Sequence, residues 1–259
     1  MQFAFSTALE VLHALKGARA NFTIDWESVL AEQYRSMVPS ARTIVDVGAH
    51  EGVHTIEFAK IAANVVCFEP IPYFAEKLRT LFSAQPNVVV HEVALSSASG
   101  RSQFALNCTT PSESGLISRL SPRASRIETI VVDVACLDAY NLDSVDFIKL
   151  DCEGAELHIL QGAEKTIRSS RPIISIEYGH AGYSVYGFQQ EALLLWANNN
   201  GFIVSDLFGF PLQERKTYDE CIDQYYWDYF LLPHERSAAL AVTMRTKAAA
   251  ILRGLLTAK

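Results

Sequence analysis

The sequence lacks the features of several protein classes. It has no apolar run that approaches the length of a membrane span. The segment 1–17 has no basic lead-in and carries Glu10 inside its apolar stretch, so it is a poor signal peptide. The five cysteines are odd in number and form no C-x-x-C pair, which argues against a disulfide framework or a zinc site. We therefore expect a cytoplasmic protein without a membrane span.

An excess of positive charge is also absent. The formal net charge is -7 and the sequence pI is near 5.5, so no global field attracts nucleic acid. We expect no nucleic-acid partner and a small, neutral substrate. The length of 259 residues and the 49% share of hydrophobic residues fit one α/β domain with additions.

The order of apolar patterns predicts a parallel, doubly wound sheet. Helix and strand patterns alternate after residue 43, with helices at 53–62 and 73–83 and strands at 64–68 and 87–93. We predict an N-terminal helical cap over 1–40, a core domain over 41–233 and a C-terminal helix over 234–259. That last helix could pack on the domain, form an oligomer contact or weakly touch an anionic surface, and packing is the default expectation.

A glycine turn between a strand and a helix is the first candidate site. The stretch TIVDVGAHEGVHT places Asp46, Gly48 and Gly52 where the backbone turns sharply towards a helix N-terminus. His50 occupies the place of the second glycine of a dinucleotide fingerprint, and Asp46 is a poor neighbour for a diphosphate. Glu69 ends the next strand. Its separation from the glycine turn along the chain is typical of a carboxylate that binds ribose hydroxyls. These residues favour S-adenosylmethionine, and the alternative is a βαβ unit without a ligand.

Carboxylates at two later strand ends form the second candidate site. An apolar strand delivers Asp151 and Glu153, and the strand 172–176 is followed by Glu177 and His180. Ligands of open parallel sheets bind at these strand ends. Clustered carboxylates repel one another unless they bind a cation or handle protons, although Glu153 could simply favour the start of a helix predicted from Ala155 to Ile167.

A long polar stretch interrupts the alternation. Short strands at 101–106 and 128–134 flank residues 109–126, which are rich in Ser, Pro and Arg. Loops of this length in a compact domain are often functional. Arg119, Arg123 and Arg126 could hold an anionic group of a substrate, or they could be solvated loop charges.

With these motifs in order, the chain resembles the FkbM family of S-adenosylmethionine-dependent methyltransferases. The resemblance covers roughly residues 43–180 and is strongest in the D-x-E-G-A-E stretch with its downstream GAEK. The motifs are VDVGAHEGVHT, CFEP (67–70), VALSSASG (93–100), FIKLDCEGAELHILQGAEKTI (147–167) and PIISIEYGH (172–180). One departure is His50, where the family usually has Asn.

The resemblance implies a class I methyltransferase fold, which is a Rossmann-like α/β fold with a seven-stranded, mostly parallel sheet and helices on both faces. It implies that Glu69 binds the ribose and that Asp151 lines the methionine end. The methionine part is assigned to Asp46, Gly48, Ala49 and Gly52, the adenine to Ala94 and Leu95, and the predicted cofactor site also includes Thr55 and Pro70.

Similar proteins mostly methylate hydroxyls of sugars or of natural-product scaffolds, so we expect O-methylation of a saccharide. The sequence leaves open a polyketide or other natural-product hydroxyl as acceptor, and a binding module that keeps cofactor without chemistry. We expect Glu153 or His180 to take the hydroxyl proton and Glu177 to orient the acceptor. A divalent cation could bind Asp151, Glu153, Glu177 and His180, but no ligand spacing assigns it.

Overall fold

A computed structural model describes residues 5–18, 25–118, 126–224 and 226–257, with side chains as far as residue 250. The helices are α1 Ala8–Ala18, α2 Trp26–Met37, α3 Val53–Ile61, α4 Pro72–Leu81, α5 Glu156–Gln161, α6 Glu164–Ser170, α7 His180–Tyr183, α8 Ala192–Asn200, α9 Arg215–Cys221 and α10 His234–Thr257. The strands are β1 Ala41–Val47, β2 Ala62–Phe68, β3 Val88–His91, β4 Ala94–Leu95, β5 Gly100–Asn107, β6 Ile127–Ala135, β7 Val145–Leu150, β8 Ile173–Glu177, β9 Phe202–Ser205 and β10 Asp228–Pro233.

The chain divides into two compact units. The core unit is Ser40–Gln189, and the second unit combines Met1–Pro39 with Gln190–Lys259. The division predicted from the sequence, at residues 40 and 233, stays a prediction.

The main sheet has seven strands, five of which belong to the core unit in the order β3-β2-β1-β7-β8. All pairings described among these five are parallel. Strands β1, β7 and β8 are almost wholly buried, as expected for near-continuous apolar runs in a parallel sheet. The remaining two strands, β9 and β10, pair antiparallel with each other. The predicted α/β class with a seven-stranded, mostly parallel sheet is therefore confirmed.

A smaller sheet of three strands, ordered β4-β6-β5, also belongs to the core unit. Strands β5 and β6 pair antiparallel along their lengths, and the two residues of β4, Ala94 and Leu95, pair parallel with the end of β6. A separate apolar cluster packs beneath this sheet, formed by Ile71, Phe74, Ala94, Phe104, Val132 and Val134. The predicted strands at 101–106 and 128–134 are thus present.

One predicted helix is wrong. The segment from Ala155 to Ile167 forms two helices, α5 and α6, separated at Gly162 and Ala163. The backbone of Gly162 passes so near Ser96 that an added Cβ would lie 2.1 Å from the Ser96 carbonyl oxygen. The apolar periodicity of residues 157–167 could not indicate this approach, because the approach involves Ser96, a residue distant in the sequence.

The second unit carries the chain ends. Asp25 caps α2 by accepting the Ser28 backbone N–H at 3.1 Å, a contact that stabilises the first turn of the helix. Helix α10 contacts α2, where Lys247 Nζ lies 2.9 Å from Glu32 Oε1. The C-terminal helix therefore packs within its own unit. Among the described residues, no helix is both long enough and apolar enough to cross a membrane.

Candidate functional site

The turn after β1 is built on three residues with positive φ. Gly48 has φ +77°, His50 has φ +48° and Gly52 has φ +85°. The Gly48 N–H donates to the Phe68 carbonyl at 2.9 Å, which ties the turn to the end of β2. Gly52 then occupies the N-cap position of α3 without a side-chain cap, so the first N–H groups of this helix face the turn.

Gly48 leaves no room for a side chain, and a side chain at Gly52 would require Leu78 to move. A Cβ at position 48 would lie 1.9 Å from the backbone oxygen of Asp151. A Cβ at position 52 would lie 2.8 Å from Leu78 Cδ2. The close approach at Gly48 brings the glycine turn directly against Asp151, the residue that follows β7, so these two stretches singled out by the sequence lie side by side.

Glu69 fixes the shape of the turn from the end of β2. Its Oε2 accepts the His50 backbone N–H at 2.9 Å, and its Oε1 accepts the Ile71 backbone N–H at 2.8 Å. The residue is 3% exposed, and burial raises the pKa of its carboxyl to about 7 against the two backbone hydrogen bonds, which lower it. At position 50 the backbone N–H makes the contact with Glu69, while the imidazole packs on Phe74 with ring centroids 4.1 Å apart.

Asp46 is fully buried at the carboxyl end of β1. Its Oδ2 accepts the Thr55 hydroxyl at 2.6 Å. Its Oδ1 accepts no hydrogen bond from the part of the chain that the structure describes and lies 3.9 Å from Lys149 Nζ. A buried carboxylate oxygen left with acceptor capacity beside a glycine turn fits a cationic group of a ligand.

The carboxylates of Asp151, Glu153 and Glu177 meet at the ends of β7 and β8. One oxygen from each lies within 4.8 Å of the others, a grouping that could hold a metal ion. We call these three residues the acidic rim. Exposed acidic groups are common without an ion. The rim therefore assigns no metal.

Asp151 keeps 41% of its side-chain surface open to solvent, so its carboxylate is accessible to a ligand. Burial raises the pKa of Asp151, but the Lys149 ammonium and hydrogen bonds with Glu177 and Lys149 outweigh it, and the pKa is lowered. Lys149 Nζ lies 3.1 Å from Asp151 Oδ2. This carboxyl is therefore held in its ionised form.

The backbone of the rim loop is constrained on both sides. Glu153 has φ +59°, an uncommon conformation for a residue with a side chain, and Gly154 follows with φ +110°. A Cβ at Gly154 would lie 2.4 Å from the Gly182 carbonyl oxygen. The buried Glu156 accepts the N–H groups of Cys152 at 2.8 Å and Gly154 at 3.1 Å. These contacts hold the Glu153 backbone in a single arrangement.

His180 lies apart from the acidic rim. It is the first residue of α7, its side chain is exposed, and its ring contacts Tyr183 with centroids 5.6 Å apart. It shares a strand end with Glu177 but not the grouping of carboxylates. Among the other predicted residues, Ala49, Ala94 and Leu95 are buried and Pro70 is half-buried.

The loop after β5 is described only in part. Arg119 and Arg123 lie outside the described residues, and Arg126 is exposed and pairs with Glu128. The described start of this loop reaches the site, because an added Cβ at Gly115 would lie 3.8 Å from Glu153 Cβ and 3.6 Å from the Tyr186 hydroxyl.

Sequence reasoning missed two side chains beside the rim. Lys149 is buried between two carboxylates, and its signal is a charged residue inside the apolar strand VDFIKL. Tyr186 places a buried hydroxyl beside the Leu116 and Ile117 backbone, and burial raises its pKa. Tyr186 gave no signal, because it follows the recognised motifs in a short helical turn.

Together these elements define a class of site. The glycine turn, held by the buried carboxyl of Glu69, lies against strand-end carboxylates, which suits a nucleoside cofactor with a positively charged group. The acidic rim adds groups that accept hydrogen bonds and protons.

Comparison with known proteins agrees with that class. The profile of the Methyltransferase FkbM domain matches residues 46–204. The chain therefore belongs to the FkbM methyltransferase family, as the resemblance predicts.

Two curated relatives differ in what they cover. The 2-O-methyltransferase NoeI of Sinorhizobium fredii is 28% identical over 158 residues, 52% of this chain and 62% of that protein. An rRNA adenine N-6-methyltransferase of Bacteroides fragilis is 37% identical over 70 residues, 27% of this chain and 26% of that protein. The chain thus spans less than two thirds of the length of these relatives. The expectation that nucleic acid is not a partner stays a prediction.

A solved structure of a methyltransferase FkbM from Methylobacillus flagellatus is 15% identical to the chain. Its alignment covers 86% of this chain and 59% of that one, with a TM-score of 0.47.

Proposed function

We propose that the protein is an S-adenosylmethionine-dependent O-methyltransferase that acts on a hydroxyl of a saccharide. The observation that carries the proposal is the joining of the glycine turn to the Asp151 loop, with Gly48 against the Asp151 backbone and Glu69 bonded to two turn amides. The family supports methyl transfer, and the NoeI relative, which is named a 2-O-methyltransferase, supports an oxygen atom as acceptor.

The residues present fit the cofactor. Asp46 Oδ1 has free acceptor capacity among the described residues, and Asp151 keeps an open surface, so both can face the ammonium or the sulfonium. Glu69 uses one lone pair of each oxygen on the turn and has others for ribose hydroxyls. Gly48, Ala49, Gly52 and Thr55 shape the turn, and Pro70, Ala94 and Leu95 are proposed to border the nucleoside.

The cofactor supplies a methyl group on a positively charged sulfur. The chain must hold the acceptor oxygen in line with that methyl group, and such positioning lowers a barrier by up to about 7–11 kcal/mol. The hydroxyl oxygen forms the new bond to carbon while the carbon–sulfur pair leaves with sulfur, and the hydroxyl proton goes to a carboxylate. Glu153 is the favoured base because it lies within the acidic rim, with Glu177 orienting the acceptor. His180 is the second candidate base.

The acidic rim also supports the acceptor class. The rim carboxyls accept hydrogen bonds from neighbouring hydroxyls, and their negative charge repels phosphates. The formal net charge of -7 acts in the same direction. A neutral, hydroxyl-rich acceptor such as a saccharide satisfies the rim, whereas a nucleic-acid backbone does not.

The test has two stages. Calorimetric titration with S-adenosylmethionine compares wild type, E69A and the control E76A, which removes an exposed carboxylate of α4. Binding by wild type and E76A that is lost in E69A supports the cofactor site, and absence of wild-type binding contradicts it. Transfer of labelled methyl is then measured with oligosaccharides, polyketide alcohols and RNA. Transfer confined to RNA or to polyketides would reject the saccharide assignment.

A further inference from the structure

A row of buried polar side chains crosses the main sheet beneath the site. Cys67 on β2 is the register partner of Asp46 on β1, Asp46 that of Lys149 on β7, and Lys149 that of Ser175 on β8. All four residues are at most 4% exposed. Register partners on neighbouring strands point to the same face of a sheet. Interiors of parallel sheets are normally apolar, so the row has a cost that apolar side chains would avoid.

The charged members of this row form a chain with Asp151. Lys149 Nζ lies 3.1 Å from Asp151 Oδ2 and 3.9 Å from Asp46 Oδ1, and 6% of its side chain is exposed. One ammonium thus lies between two carboxylates. An ammonium buried at this depth is costly unless it is paired, and an apolar side chain of the same length could pack there. The group therefore acts through its charge.

We propose that Lys149 sets how strongly the site prefers the cationic cofactor over its neutral product. This inference rests on the proposed function. S-adenosylmethionine carries one net positive charge at neutral pH, and S-adenosylhomocysteine carries none. Asp46 and Asp151 alone would present two negative charges to the sulfonium, and the Lys149 ammonium cancels one of them.

Moderating this preference serves the reaction as well as product release. The sulfur loses its positive charge as the methyl group leaves, so the transition state carries less charge there than the bound cofactor. A site that binds the sulfonium too strongly stabilises the ground state more than the transition state and slows the step. Lys149 therefore acts as a specificity-determining residue that lowers ground-state binding of charge.

Other polar and charged groups surround Lys149 and its two carboxylate partners, and they remain in every Lys149 variant. Asp46 on β1 lies near Lys149 and is bonded to Thr55 of α3. Asp151 and Cys152 of the rim loop, Cys67 of β2 and Glu69 just after β2 interact electrostatically with Lys149. Glu177 on β8 bonds to Asp151, and His50 and His54 act on the same cluster at longer range. Replacing Lys149 with an uncharged residue leaves these side chains in place but removes the ammonium that lowers the pKa of Asp151 and of Glu69, so both carboxyls then hold a proton more readily.

The experiment measures dissociation constants for three ligands with wild type, K149M, K149R and K77M. The ligands are S-adenosylmethionine, sinefungin, in which a protonated amine replaces the methylated sulfur, and S-adenosylhomocysteine. Titrations at about pH 8.5 favour ionised carboxylates. K77M is the matched control, because it removes an ammonium from the partly exposed pair with Glu51 rather than from the buried row.

K149M is expected to raise the preference for both cationic ligands over the neutral product by about five- to twentyfold, as one charge in a partly buried site does. K149R and K77M are expected to stay within about twofold of wild type, because K149R keeps the charge and solvent screens the Lys77 position. Equal loss of affinity for all three ligands in K149M would show a purely structural role and overturn the proposal.

K149Q provides a second variant should K149M not fold, since it keeps a hydrogen-bond donor without the charge and carries the same expectation. An unchanged ligand preference in K149Q also rejects the proposal. Failure of the proposed function is distinct: wild type would then bind none of the three ligands, if the cofactor assignment fails, or would bind them and transfer methyl only to RNA or polyketides, if the saccharide assignment fails. Where methyl transfer is measured, K149M is further expected to lower kcat while the KM for S-adenosylmethionine falls or stays unchanged.

Discussion

The backbone of Gly48 lies against the backbone of Asp151, so that a Cβ on Gly48 would sit 1.9 Å from the Asp151 carbonyl oxygen. This contact joins the end of β1 to the end of β7 at the point where a ligand of a parallel sheet binds. The two loops therefore cannot be altered independently at this point.

Replacing Gly48 with Ala is expected to destabilise the core unit and abolish cofactor binding. Gly187 offers a matched control, since its φ of +76° nearly equals the +77° of Gly48 and no atom of the described residues lies within 4 Å of the position of an added Cβ. G187A is expected to cost about 1–2 kcal/mol of unfolding free energy from the left-handed backbone alone. G48A should cost at least about 2 kcal/mol more, because the clash adds to the same strain. Denaturant unfolding of both variants provides the comparison, and equal losses would contradict the close approach.

Cofactor affinity is expected to depend on the ionisation of Glu69. The pKa of this buried carboxyl is raised to about 7, so below that pH the carboxyl carries a proton that competes with hydroxyl donors of the ligand. Affinity should rise with pH, by at most about tenfold per unit below pH 7, and level off above it. Titration from about pH 5.5 to 8.5 measures the slope. E69Q should bind S-adenosylmethionine weakly, and its affinity should no longer rise with pH. A rise that persists in E69Q would come from another titrating group.

Turnover is expected to separate the candidate bases. E153Q keeps the size of the side chain and removes proton acceptance, so kcat should fall by roughly 10²–10⁴-fold while cofactor affinity changes little. H180Q should alter kcat by less than about threefold, because His180 is exposed and outside the acidic rim. E177Q is expected chiefly to raise the KM for the acceptor. Steady-state kinetics with a fixed acceptor tests all three, and the reverse ranking of E153Q and H180Q would identify His180 as the base.

The unfolding free energy of the second unit is expected to fall as pH rises from about 4 to about 7, because Asp206 titrates in this range. This buried carboxylate accepts the N–H groups of Phe208 and Phe210 at 2.9 and 2.8 Å, and burial raises its pKa to about 7 from 3.8. Between these two pH values the folded chain holds a proton that the unfolded chain has released. The Asp206 contribution to stability is therefore complete below about pH 4 and is lost by about pH 7, at up to about 1.4 kcal/mol per pH unit.

D206N resembles the protonated form and should remove this part of the pH dependence. Unfolding free energies at pH 5 and pH 8 are expected to differ less in D206N than in wild type. N198D is the control. Its unfolding free energies at pH 5 and pH 8 are expected to differ as much as those of wild type, because Asn198 is exposed and its new carboxylate would be solvated. An unchanged difference in D206N would show that Asp206 is not the titrating group.

The main sheet and the two loops that carry Gly48 and Asp151 were predictable, because they depend on local sequence patterns. Apolar strands and the glycine turn of 46–52 are written in consecutive residues, and ligands of parallel sheets bind at strand ends. The division of the helix at Gly162 was not predictable, because it depends on contact with Ser96. The position of Lys149 between two carboxylates likewise depends on strand register, which residue patterns leave open.

The sequence also did not predict that Glu153 belongs to the acidic rim whereas His180 does not. Both residues follow strands, and sequence alone places them at one edge of the sheet. The positive φ of Glu153 belongs to the rim loop, whereas His180 opens the short helix α7 and its side chain is exposed. Such differences arise from a few backbone angles that residue identity does not fix.

The close approach of Gly162 to Ser96 has a consequence for sequence variation in relatives. Ser96 directly follows Ala94 and Leu95, the proposed adenine wall, and its N–H donates to Ala135 at 3.0 Å. A side chain at position 162 would displace the backbone of Ser96 and Ser97, which directly continues this wall. Relatives that replace Gly162 are therefore expected to carry a compensating change in the 94–97 segment, so the two positions should vary together across the family.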